Sequence, residues 1–165
     1  MNPRVLLDYS SVLIRPRVTS LSSRSQVSLI RHIPRFLHSP REWSGIPIMV
    51  ANMDTTGTMN VHSCTWDSNI ITILHKHYSS DEIKGYFHSS TPESHTFLGI
   101  STGINQKEYE CLVNLKQDNY SPTFITIDVA NGYMECLIEF TRRVRDLFPD
   151  SIIIAGNVVC GERTK

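Results

Sequence analysis

The sequence predicts an α/β fold made of repeated strand–helix units, and three observations predict it. Five short apolar runs rich in β-branched residues occupy residues 46–52, 70–75, 95–101, 123–129 and 151–157. Stretches with helical spacing lie between them, around residues 58–66, 80–88, 106–118 and 134–148. Polar or charged residues follow every run. Near-continuous apolar strands alternating with helices imply βαβ units and a parallel sheet covered on both faces.

The elements follow in chain order. Residues 1–45 hold only short apolar runs such as Val12-Leu13-Ile14, interrupted by Ser- and Arg-rich stretches and by Pro16, Pro34 and Pro40. No helix of normal length fits there. An excursion that wraps over the sheet or barrel, with a hairpin, is expected over residues 1–45. The apolar runs then start at residues 46, 70, 95, 123 and 151, so 24 to 28 residues apart. That period suits both a (β/α)8 TIM barrel and a doubly wound sheet. No GxGxxG or GxxxxGK[ST] follows any run, although nucleotide-binding doubly wound sheets often carry one. Polar groups at the end of each strand are what a barrel mouth needs.

A (β/α)8 barrel is therefore expected over residues 46–165, with about its first five βα units present. A whole barrel takes about 250 residues, and Lys165 falls where a fifth helix is due to begin. The chain reads as a truncated barrel whose open strand edges would be an aggregation hazard. The last helical stretch is the clearest. Met134, Leu137, Ile138, Val144, Leu147 and Phe148 make one apolar stripe, with Glu139, Arg142, Arg143 and Asp146 opposite.

Composition bounds the function. The 165 residues carry 16 Lys+Arg against 16 Asp+Glu, and 40% are hydrophobic. This balance argues against disorder and coiled coil, and a neutral chain with no basic run offers no footprint for nucleic acid or an anionic membrane. No apolar stretch approaches the roughly 20 residues of a membrane span. The first eight residues lack the apolar core of a signal peptide and reach Asp8 at once. A soluble cytoplasmic chain is expected. Cys64, Cys111, Cys136 and Cys160 form no CxxC pair, so reduced thiols are expected rather than a zinc site or disulfide framework.

The chemistry-bearing residues collect after the strands. Asn52-Met53-Asp54-Thr55 follows the first, His75-Lys76-His77-Tyr78 the second, Ser101-Thr102-Gly103 the third, Asp128-Val129-Ala130-Asn131-Gly132 the fourth and Gly156-Asn157 the fifth. His75 and His77 share a strand face, but metal sites need three or four ligands, and no third lies close in sequence. Lys76 at a strand end can hold a phosphate or carboxylate, move a proton if desolvated, or stand solvated. Asp128 ends the apolar run Phe124-Ile125-Thr126-Ile127 and needs a partner at the rim. Lys76 and Asp128, both on even-numbered strands of the series, are candidates to meet as a pair, functional or purely structural.

These residues carry a resemblance to the IMP dehydrogenase/GMP reductase family. Six ordered blocks match: Asp8-Tyr9 with Val12-Leu13-Ile14-Arg15-Pro16; Ser23-Arg24-Ser25; Ala51-Asn52-Met53-Asp54-Thr55; His75-Lys76-His77-Tyr78; Asp128-Val129-Ala130-Asn131-Gly132-Tyr133; and Ala155-Gly156-Asn157-Val158-Val159. The chain resembles the N-terminal half of members of the family's GMP reductase branch. The IMP dehydrogenase branch typically has Asn in place of Lys76 and inserts CBS modules after the second strand. Only the short segment from Tyr78 to His95 is available for such an insertion here.

The resemblance implies NADPH-dependent reductive deamination of GMP to IMP and ammonia, in a homotetramer. A cysteine would attack the purine C2, ammonia would leave a covalent thioimidate, and hydride from the cofactor would complete the exchange. By matching position, Ser23, Arg24, Lys76, Asp128, Val129 and Ala130 correspond to cofactor-binding residues. Ser23 and Arg24 would reach the cofactor of a neighbouring subunit, Arg24 being suited to the 2′-phosphate. Lys76 and Asp128 are also the catalytic candidates, for the proton of the departing ammonia. The nucleophile and a potassium site belong to a Gly-rich Cys-Thr-Thr loop absent from this sequence, and Cys160 matches a family Thr. The 165 residues alone are therefore expected to be inactive. The alternatives are an NAD-dependent IMP dehydrogenase-type enzyme and a non-catalytic fragment that docks onto full-length subunits.

Overall fold

The computed structural model describes residues 7–159. Cys160, the N-terminal end considered for a signal peptide and the expected start of a fifth helix at Lys165 lie outside the described residues. Two short antiparallel strands, β1 (Arg31–Ile33) and β2 (Trp43–Gly45), form a hairpin. The main sheet follows, with strands β3 (Met49–Val50), β4 (Ile71–Leu74), β5 (Leu98–Thr102), β6 (Phe124–Asp128) and β7 (Ile152–Gly156). They pair in parallel in the order β3-β4-β5-β6-β7, the sequential order of a barrel rather than of a doubly wound sheet. Helices α1 (Met59–Thr65), α2 (Ser80–Ser89), α3 (Gln106–Gln117) and α4 (Glu135–Leu147) connect them. The fold is a curled half-barrel.

Side-chain alternation along the strands builds two cores. Leu74, Leu98, Ile100, Ile125 and Ile127 face the helices and meet Ile83, Leu112, Leu115, Leu137, Phe140 and Val144. Ile71, Ile73, Phe124 and Ile152 face the barrel interior and meet Trp43 and Phe97. Trp43 of the hairpin closes this inner cluster, edge-to-face against Phe97 and Phe124 with ring centres 6.1 Å away in both cases. Gly99 is required at the middle of β5, because a Cβ there would lie 2.3 Å from Ile73 Cδ1 and 2.9 Å from Phe124 Cβ. Each fully buried Leu or Ile contributes roughly 1.5–3 kcal/mol.

Local signals set the helix starts. Ser79 with Glu82, and Asn105 with Glu108, close capping boxes at α2 and α3. Thr58 caps α1 through the Val61 N–H.

Several expectations need correction. The first expected strand, residues 46–52, is reduced to Met49–Val50, because Pro47 has no N–H and Ile48 turns back to donate to the Ile46 carbonyl at 2.7 Å. The third begins at Leu98 rather than at residue 95, since Pro92 opens a 3-10 helix over Pro92–Phe97. On α4 the buried stripe is Leu137, Phe140 and Val144, continued by Phe148, while Ile138 is 41% exposed. Arg143, expected on the solvent side, lays its guanidinium 3.9 Å from the centre of the Tyr109 ring on α3. Residues 7–30 contain only two 3-10 turns and are exposed throughout. No helix among the described residues is long and apolar enough to cross a membrane.

Candidate active site

The C-terminal ends of the five parallel strands bring the polar loops to one mouth. The loop after β3 is a closed turn: Thr56 and Gly57 both donate their N–H to the Met53 carbonyl, and Thr56 Oγ1 donates to the Ala51 carbonyl. Gly57 then accepts from the His75 N–H at 2.8 Å, locking this loop onto the end of β4. Only glycine fits, since a Cβ at Gly57 would lie 2.4 Å from the Ile73 carbonyl oxygen. His75 stacks on Tyr78 with ring centres 4.1 Å apart, so the segment after β4 folds back on itself. His77 Nε2 lies 3.2 Å from Asp54 Oδ1, with both side chains exposed.

Asp128 and Lys76 both stand at this mouth, but each has a different partner from the one expected. Asn52 Nδ2 donates to Asp128 Oδ2 at 3.0 Å. Lys76 Nζ lies 3.7 Å from Glu108 Oε1, in the first turn of α3. The expected Lys76–Asp128 pair is replaced by two separate pairs, because the N-terminus of α3 lies next to the β4 loop and offers a fixed carboxylate. Below Lys76 a cleft of about 470 Å³ opens between the starts of α2 and α3. Cys111 lines it, and burial pushes its thiol pKa up, which leaves little thiolate for nucleophilic attack.

Val129 and Ala130 continue from Asp128. The backbone of Val129 is fixed on both sides, donating to the Gly156 carbonyl at 2.9 Å and accepting from the Asn157 N–H at 2.8 Å. Ala130 and Asn131 project beyond it, exposed. Gly132 N–H donates to the Asn157 carbonyl, and a Cβ at this glycine would lie 2.3 Å from that oxygen. Ser23 and Arg24 are not brought to this mouth. They sit in an exposed 3-10 turn, with Ser23 as its N-cap, and the turn's hydrogen bonds stay within residues 22–27.

Two participants escaped sequence reasoning. Glu108 carried only the signal of a capping box, and Asn52 was visible as a rim residue but without its partner. His62 is a third, buried residue near the site. It is fully covered, with Nδ1 2.7 Å from the Tyr86 hydroxyl and Nε2 3.1 Å from the Ser94 carbonyl. Burial holds its pKa down at about 4, so the ring is neutral, with Nε2–H donating to Ser94 and Nδ1 accepting from Tyr86. The Tyr86 hydroxyl also lies 3.1 Å from the Met59 carbonyl, so its one proton is shared between that oxygen and His62 Nδ1, and the Met59 N–H points to the Tyr78 hydroxyl at 3.4 Å. No sequence motif marks His62 among the chain's seven histidines.

No protein-family model matches the sequence. Curated proteins do: the GMP reductase of Edwardsiella ictaluri (strain 93-146) is 42% identical over 156 residues, 94% of this chain and 44% of that protein. The GMP reductases of Shigella boydii serotype 18 and Escherichia coli O81 are each 40% identical over 94% of this chain and 45% of their own length. The chain resembles GMP reductase. It spans less than half the length of these relatives, consistent with the N-terminal half. Among solved structures, an inosine 5′-monophosphate dehydrogenase from Legionella pneumophila superposes with a TM-score of 0.58 at 24% identity, over 68% of this chain and 33% of that one. This likeness shows the partial barrel fold.

Proposed function

We propose that this GMP reductase-like chain supplies the cofactor side of a barrel mouth that deaminates GMP reductively to IMP and ammonia, with NADPH as reductant. The observation that carries this reading is 40–42% identity to GMP reductases over 94% of the chain, together with the position of Asn52, Lys76 and Asp128 after parallel strands of one sheet. Lys76 and Asp128 hold the cofactor and handle the proton of the departing ammonia. The fixed backbone of Val129 and the exposed Ala130 form the surface on which the nicotinamide end rests. Ser23 and Arg24, far from bonding within this mouth, serve a neighbouring subunit of a homotetramer, with Arg24 at the 2′-phosphate. When bound, NADPH supplies the hydride.

The nucleophilic cysteine and the potassium ion come with segments outside this chain, so the 165 residues alone do not turn over. Residues 1–45 act as the excursion and residues 46–165 as the first half of the barrel, in a cytoplasmic enzyme of purine nucleotide interconversion. A chimera joining this chain to the unmatched part of the Escherichia coli GMP reductase tests the reading. It is expected to oxidise NADPH only when GMP is present, and to lose this in Lys76→Ala. A folded chimera that reduces NAD with IMP instead, or does neither, overturns it.

A further inference from the structure

We propose that Glu108 is the positioning residue of Lys76, holding its ammonium on the α3 side of the mouth and so deciding which ligand groups the lysine can reach. The inference rests on the ligand-holding role given to Lys76 above.

Three observations support it. First, the Glu108 carboxylate is the fixed member of the pair. Its Oε2 accepts from the Asn105 N–H at 3.2 Å, and Asn105 Oδ1 in turn accepts from the Glu108 N–H at 2.9 Å. The Glu108 side chain is 16% exposed, against 40% for Lys76. Second, the end of β5 is shaped to admit the carboxylate. A Cβ at Gly103 would lie 2.4 Å from Glu108 Oε2 and 2.9 Å from its Cδ. Third, helix stability does not demand an acid here. A glutamine at this position closes the same capping box, and a half-exposed ion pair adds little to stability. What the charge adds beyond a modest helix-dipole gain is a hold on Lys76. Asp128 has its own clamp in Asn52. The two rim charges are thus oriented separately, and a ligand spanning the mouth meets both already placed.

The full 165-residue chain is exposed briefly to acetic anhydride, and acetylation of each lysine is read by mass spectrometry. Glu108→Gln is expected to raise labelling of Lys76 at least about threefold relative to Lys107 and Lys116 in the same sample. Gly103→Ala, which alters neither charge but displaces the carboxylate, is expected to act in the same direction. Unchanged Lys76 labelling in both variants overturns the proposal. A variant that unfolds raises all lysines together, including Lys84 in its pair with Asp118. The unaltered chain at about 1 M salt, where charges beyond about 3 Å are screened, then decides: a selective rise at Lys76 supports the hold, and none overturns it. Added NADPH is a separate arm. Failure to protect Lys76 while the Glu108 effect persists counts against the cofactor role and leaves the positioning intact.

Discussion

Asn52 and Asp128, 76 positions apart in sequence, share a hydrogen bond of 3.0 Å across the mouth of the half-barrel. One ends the loop-bearing edge of β3, the other the C-terminus of β6, with two strands between them. The amide gives the carboxylate a neutral donor that aims it across the mouth. Asn52→Asp would place two carboxylates in this contact, and like charges so close cannot both ionise freely. In the chimeric enzyme, Asn52→Asp is expected to lower turnover about tenfold or more, the scale of losing one well-placed charge. Asn52→Ser should be much milder. Equal rates for Asn52→Asp and the parent would remove the clamp from the account.

The two rim charges are expected to matter far more than the tyrosine beside them. Lys76→Ala and Asp128→Ala should each reduce turnover about a hundredfold or more, as loss of a proton-transfer group does. Tyr78→Phe should change it little. The Tyr78 hydroxyl accepts from Met59 at 3.4 Å, a weak bond, and the ring that stacks on His75 is kept. Steady-state kinetics of the three variants would separate these; similar mild effects from all three would remove both role assignments.

Stability should fall as the solution is acidified, through His62. Its folded-state pKa of about 4 lies below the ordinary 6.5. The unfolded chain therefore binds a proton that the folded chain excludes between these values. The contribution is complete above pH 6.5 and is lost progressively as pH falls towards 4, to a total of about 3 kcal/mol. Burial lowers the pKa of His95 as well, which adds in the same sense. Urea unfolding at several pH values should show this slope in the parent chain and a reduced one in His62→Gln. An unchanged slope would mean that other groups set it.

Gly57→Ala should destabilise the chain by about 1–3 kcal/mol, the usual cost of overpacking. The new methyl would press on the Ile73 carbonyl and on the backbone at Asn52 and Ala51, none of which can swing aside. Because Gly57 also receives the His75 N–H, the loop after β4 should shift with it. Thermal melts and amide exchange at His75 would register both effects. An Ala variant as stable as the parent would show that the loop can retreat.

The strands and helices were legible because their signals are local. Ile125 and Ile127 face the helices while Phe124 faces the barrel, and this period of two repeats along each strand. The capping pairs Ser79 with Glu82 and Asn105 with Glu108 mark helix starts within four residues. Errors came where proline chemistry intervened, at Pro47 and Pro92, and on α4. There Phe140 joins the buried stripe and Ile138 turns outward. The mouth was legible as a set of polar strand ends, but its pairings were not. Strand parity puts Lys76 and Asp128 on one rim but says nothing of which helix N-terminus stands nearer to the lysine.

By itself, the sequence determined the alternation of apolar runs and helices, the hairpin-bearing excursion before them, and the residues placed at each strand end. Those follow from periodicity, glycine and proline positions and caps, which act over a few residues. Only the tertiary structure decided that Asn52 holds Asp128, that Glu108 holds Lys76, that Trp43 closes the inner core and that His62 is buried neutral. These contacts join residues 32 to 81 positions apart. Each depends on the curl of a sheet that no local pattern encodes.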